Sequence, residues 1–151
     1  MRNITRRAAL ALGAGSAAVT LVGWSSGAFA TPQAAADDIA KFTAGATPEN
    51  GKISIELPEI AENGNTVPLS ISVDAPMTDA DYVSDVLVVS EGNPNPGVAT
   101  FHFTPLSGKA EASTRIRLAA TQNIVVIAKT TGGKFYTAQK LVKVTIGGCG
   151  G

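Results

Sequence analysis

The chain has 151 residues, enough for one domain, with 12 basic residues matched by 12 acidic ones. It has no basic stripe and no aromatic–basic alternation, which argues against a nucleic-acid partner. A single histidine and a single cysteine exclude an internal disulfide, and they are too few for the two-His, one-Cys set of a blue-copper centre.

Residues 1–30 read as an export signal rather than as fold. Arg2, Arg6 and Arg7 precede a run of small and apolar residues, and Ala28-Phe29-Ala30 supplies a small-x-small cleavage site before Thr31-Pro32. The apolar run is short and glycine-rich against the roughly 20 strongly apolar residues of a membrane span, so cleavage after about Ala30 and no stable membrane insertion are expected. Thr5-Arg6-Arg7 ahead of a mildly apolar stretch points to the twin-arginine route, which exports proteins already folded or paired. The alternative is an ordinary export signal with two chance arginines, and either route takes the remainder out of the cytoplasm to the periplasm. Three of the 12 basic residues leave with the signal and all 12 acids stay, so the remainder carries about −3.

Residues 31–51 form an N-terminal segment with a short helix. Asp37 or Asp38 is its expected cap, the helix runs through Phe42, and Gly45 ends it. Thr47 to Gly51 then reads as a turn. From 52 to 146 the pattern is β. Ile53, Ile55 and Leu57 alternate with polar residues, as do Val67, Leu69, Ile71 and Val73. Tyr82–Val89 is a denser apolar run. Val98–Thr104 alternates, Ile116 and Leu118 oppose Arg115 and Arg117, Asn123–Thr130 resembles a central strand, and Phe135–Ile146 supplies one or two more. Asn63-Gly64, Pro76, the run from Gly92 to Gly97, Ser107-Gly108 and Gly132-Gly133 mark turns. The expected fold is all-β: an immunoglobulin-like antiparallel β-sandwich with a short N-terminal helix and a flexible C-terminal Gly-Cys tail.

No catalytic constellation and no metal site emerge. His102 sits between Phe101 and Phe103 on an alternating strand and reads as a surface or rim residue. Asp74, Asp79, Asp81 and Asp85 lack the fixed register and closing Glu of a calcium loop and read as a solvated loop leading into a strand. Asn93-Pro94-Asn95-Pro96 reads as a rigid surface turn able to hold a cis bond. Arg115 and Arg117, with Lys109, form a basic patch on one strand face, either solvated or used for docking or anions.

The tail Gly147-Gly148-Cys149-Gly150-Gly151 holds the only cysteine. Glycine frees the backbone and removes bulk beside the thiol. Extended, the five residues span roughly 17 Å. Such a tether takes a sulfur atom away from the domain and into a narrow channel of another protein, and it denies the thiol the rigid pocket a catalytic nucleophile needs. It fits a covalent carrier whose partners supply the activation. The competing readings are an exported binding module whose Cys149 is incidental or forms an intermolecular disulfide, and a ubiquitin-like carrier loaded as a thiocarboxylate on Gly151. The export signal and the all-β pattern oppose the second. The cysteine fits no C-terminal prenylation box, and a bacterial lipoprotein cysteine would be N-terminal.

The ending VKVTIGGCGG resembles the C-terminal signature of SoxY, the sulfur-substrate carrier of the bacterial thiosulfate-oxidising (Sox) system. The stretches IELPEIAENGNTVPLSISVDAPMTDADYV, NPNPGVATFHFTP and TRIRLAATQNIVVIAK are similar to the body of that family, so the resemblance covers most of 53–151. It implies that Cys149 is the covalent attachment point and that Gly147, Gly148, Gly150 and Gly151 make a swinging arm. It implies a heterodimer with the SoxZ subunit. It also implies three partner enzymes: a c-type haem conjugating enzyme that joins thiosulfate to the thiol, a sulfonate hydrolase that releases sulfate, and a sulfane dehydrogenase that oxidises the sulfur left behind. The carrier holds no cofactor and catalyses none of these steps.

Overall fold

The computed structural model describes residues 32–149, so the expected export signal and the last two glycines lie outside the described residues. Helix α1 spans Pro32–Thr43. The strands are β1 (Glu49–Asn50), β2 (Ile53–Glu56), β3 (Ile60–Asn63), β4 (Val67–Val73), β5 (Val83–Ser90), β6 (Gly97–His102), β7 (Ala110–Ile116), β8 (Gln122–Thr130) and β9 (Phe135–Ile146). They form two sheets. The larger runs β1-β9-β8-β5-β6 with β3 also on β9, and the smaller runs β2-β4-β7.

The two-residue alternation of β4 sets the smaller sheet. Val67, Leu69, Ile71 and Val73 are buried, while Ser70 and Ser113 meet on its outer face through their hydroxyls, 2.9 Å apart. The inward residues meet Val83, Val86 and Val88 of β5 and Ile124, Val126 and Ala128 of β8 in one core. Each fully buried Val, Leu or Ile here contributes about 1.5–3 kcal/mol.

The denser apolar runs of β5 and β8 have a separate cause. Their outer face is covered as well: Ala35, Ile39 and Phe42 of α1 pack against Leu87, Val89, Val125, Ile127 and Phe135. Phe42 meets Phe135 edge to face with ring centroids 6.3 Å apart. A strand buried on both faces cannot alternate.

The antiparallel sandwich and its N-terminal helix are as expected, with differences in detail. The helix begins at Pro32, so Asp37 and Asp38 lie inside it rather than capping it. Asp37 accepts a hydrogen bond from Gln33, and Asp38 pairs with Lys41 at 3.4 Å. At its far end Ala44 and Gly45 both take positive φ, and the Gly45 amide donates to the Ala40 carbonyl at 3.1 Å. The turn expected over Thr47–Gly51 contains β1, and β3 had no counterpart in the pattern. Both pair with β9 in parallel, in registers such as Glu49 with Tyr136 and Asn63 with Ile146. No peptide bond among the described residues is cis.

β9 is one 12-residue strand because it has partners along its whole length. One edge pairs with β8 from Phe135 to Val142. Beyond that, the Thr121 hydroxyl accepts the Val144 amide at 2.9 Å. The other edge holds β1 near the start and β3 near the end. The strand that carries the tail is thus fixed up to its last residue.

Candidate functional site: a thiol at the end of strand β9

Gly147 follows directly on β9. The Gly64 amide, in the turn after β3, donates to the Ile146 carbonyl at 2.7 Å. The Gly64 carbonyl accepts the Leu118 amide at 2.8 Å, and the Leu118 carbonyl accepts the Gly148 amide at 2.9 Å. The β3–β4 turn, the β7–β8 connection and the root of the tail are therefore tied together through their backbones. Asn65 adds a side chain to this tie: its Oδ1 accepts the Cys149 amide at 3.1 Å. The Asn65 amide itself donates to Asn63 Oδ1 at 2.9 Å, an Asx turn that fixes the loop. Gly148 is buried, whereas Cys149 is exposed and its thiol is free.

The 117–122 connection that meets the tail is braced from below. Asn93 is buried. Its Nδ2 donates to the Arg117 carbonyl at 2.8 Å, and its Oδ1 accepts the Ala119 amide at 2.9 Å and Gln122 Nε2 at 2.8 Å. The Gln122 Oε1 in turn accepts the Gly92 amide at 2.7 Å. The 92–97 segment is therefore more than the surface turn its prolines indicate, because Asn93 points inward and spaces the loop that carries Leu118.

The other sequence candidates lie elsewhere. His102 is exposed on β6, where its Nδ1 meets Asp85 Oδ1 at 2.6 Å. Burial raises the Asp85 carboxyl. Hydrogen bonds from Ser84 and His102 and the charges of His102 and Lys129 outweigh that, so its pKa falls below the ordinary value. Asp81 accepts the Gly132 amide at 2.9 Å and the Thr131 hydroxyl at 3.2 Å, pinning the β8–β9 hairpin. Two of the four clustered carboxylates thus brace the sandwich instead of idling in a solvated loop. Lys109 pairs with Glu111 at 3.6 Å. Arg115 and Arg117 are exposed beside an open cleft of about 250 Å³ between the terminal strands β6 and β7. Among the described residues no three His, Cys, Asp or Glu side chains gather to hold a metal ion, and no helix is long and apolar enough to cross a membrane.

The fold and the site together define a small β-sandwich that carries a free, exposed thiol just beyond its last strand. The family profile of "Sulfur oxidation protein SoxY" matches residues 39–149. The sulfur carrier protein SoxY from Chlorobium limicola f thiosulfatophilum is similar in structure, with a TM-score of 0.64 and 36% identity over 77% of this chain and 100% of that one. The chain belongs to the SoxY family, and its role is that of a carrier in sulfur oxidation. Superoxide reductases share the fold: the neelaredoxin of Ignicoccus hospitalis reaches a TM-score of 0.55 at 21% identity over 62% of this chain and 80% of its own. A putative superoxide reductase of Thermotoga maritima reaches 0.52 at 16% identity, over 68% of this chain and 89% of its own. Curated proteins yield no match.

The sequence singled out Cys149 and its glycines. It missed Gly64, Asn65 and Leu118, which the fold brings to the tail from 30 to 84 positions away in sequence, and Asn93, which braces the loop that carries Leu118. The only signal was Asn63-Gly64, which reads as an ordinary turn.

Proposed function

We propose that Cys149 is the covalent attachment point for sulfur derived from thiosulfate and that the chain presents it, in the periplasm, to partner enzymes. The observation that carries this reading is the exposed free thiol just past a fully paired strand, in a chain whose family match runs to that residue. In the loading step the Cys149 sulfur bonds the sulfane sulfur of thiosulfate. The thiol proton goes to solvent, and the electron pair goes to a c-type haem partner. Water then cleaves the bond between the sulfane and sulfonate sulfurs. A sulfonate hydrolase serves this step, sulfate leaves, and a persulfide stays on Cys149. A sulfane dehydrogenase then takes six electrons from that outer sulfur while three waters supply its oxygens and release their protons, which gives a sulfonate on Cys149, and a second hydrolysis by water releases sulfate and frees the thiol.

Nothing beside the thiol has to activate it. The carrier contributes position and access, and the chemistry belongs to the partners. The paired subunit is SoxZ, consistent with a small exported domain that has no disulfide of its own.

Cys149→Ser tests the reading in cells dependent on thiosulfate. The variant is expected to fold, to be exported and to reach normal abundance while thiosulfate oxidation stops. Oxidation at the wild-type rate would contradict the assignment.

A further inference from the structure

The glycines around the thiol are easily read as slack. The geometry gives Gly147 and Gly148 a different reason. An added Cβ at Gly147 would overlap the Ala119 carbonyl oxygen. One at Gly148 would lie 2.7 Å from the Gly64 carbonyl oxygen, closer than real Cβ atoms approach. The fit is reciprocal: a Cβ at Gly64 would overlap the Leu118 carbonyl oxygen and stand 2.8 Å from the Gly148 nitrogen. None of the three has positive φ, so close backbone contact, not a left-handed turn, is what demands glycine there.

We propose that Gly64 and Asn65 form a seat for the carrier's own arm, holding Gly147–Cys149 against the sandwich between visits to partners. The proposal rests on the carrier reading and adds a resting state to it. The seat has two parts. Gly64 clears the space and brings Ile146, Leu118 and Gly148 into one run of backbone hydrogen bonds of 2.7–2.9 Å. Asn65 reaches one residue further and binds the amide of the cargo residue itself. The thiol stays exposed, so the seat fixes where the sulfur waits without covering it. Release into a narrow channel breaks the bonds to Leu118 and Asn65 and leaves β9 intact. Asn65 is thus a positioning residue: it acts through the backbone of Cys149 and need not touch the cargo.

Amide hydrogen exchange on the unloaded full chain, followed by NMR, tests this. In the wild type the Gly148 and Cys149 amides should exchange about tenfold or more slowly than their intrinsic rates in an unstructured chain. Asn65→Ala should bring the Cys149 amide to its intrinsic rate and leave β8 amides such as Val126 unchanged. Asn65→Asp, which keeps an acceptor oxygen, should restore much of the protection. Gly64→Ala should release both amides, and the Asn65 pair decides the matter if that variant folds poorly. Wild-type Gly148 and Cys149 exchanging at their intrinsic rates would overturn the seat, as would unchanged Cys149 protection in Asn65→Ala. No sulfur is loaded in the experiment, so its failure is distinct from a failure of Cys149 to carry sulfur.

Discussion

In the proposed carrier role Cys149 is the residue the fold presents: its thiol is free and exposed just past the last strand. Its neighbours serve by what they lack: side chains at 147 and 148 would collide with Ala119 and Gly64. The supporting residue of most consequence is Asn93. Its amide meets the Arg117 carbonyl, the Ala119 amide and Gln122 Nε2 in the interior. Asn93→Ala strands those groups, and leaving buried polar atoms unpaired costs about 1–3 kcal/mol. Urea denaturation should show that loss. The Cys149 amide should also lose part of its exchange protection, because the loop carrying Leu118 is no longer spaced. Asp85 makes a second prediction. Its carboxyl is held below its ordinary pKa in the fold, so it binds a proton less readily folded than unfolded. Its contribution is therefore present above the unfolded value near 4 and is lost as pH falls through the lower folded value. Asp85→Asn should flatten the dependence of stability on pH over that acidic window, as read by thermal melts from about pH 5 downward through the unfolded value. A wild-type slope in the variant would contradict the account.

At the scale of elements, how readable a segment was depends on what buries it. β4 was legible to the residue because one face meets the core and the other meets water, so its two-residue period is complete. β5 and β8 were legible as strands, but the cause of their density was not, since α1 covers their outer face from a distant part of the chain. β1 and β3 left no trace because two to four residues paired in parallel are too short to show a period. The attachment residue was legible from its place in the chain, whereas its seat was not. Gly64 and Asn65 meet the tail only once β3 has aligned with β9, and no local pattern encodes a contact between residues 65 and 149. Ile127 tests the helix–sheet layer. It is fully buried beneath α1, so Ile127→Ala should cost about 2–5 kcal/mol. The loss should fall by about half or more in a chain already carrying Phe42→Ala, because the two changes empty the same cluster. Full additivity would show that the helix does not complete that layer.

For the whole molecule, the proposed carrier role divides labour among a rigid sandwich, a seated arm and a single sulfur atom that partners process. Two valine substitutions separate the seat from passage through a partner. Gly148→Val should abolish amide protection at Cys149 in the free chain and also slow loading. Gly150→Val should leave that protection intact and slow loading alone, since its added bulk bears on the partner's channel. Identical behaviour of the two variants in exchange would contradict this division. Whether sulfur resides on Cys149 is read by intact-mass measurement of the carrier purified from cells respiring thiosulfate. Adducts of sulfur and thiosulfate mass are expected, confined to the C-terminal peptide, removed by added thiol and absent in Cys149→Ser. An unmodified wild-type chain under active thiosulfate oxidation, or the same adducts in Cys149→Ser, would contradict the carrier role.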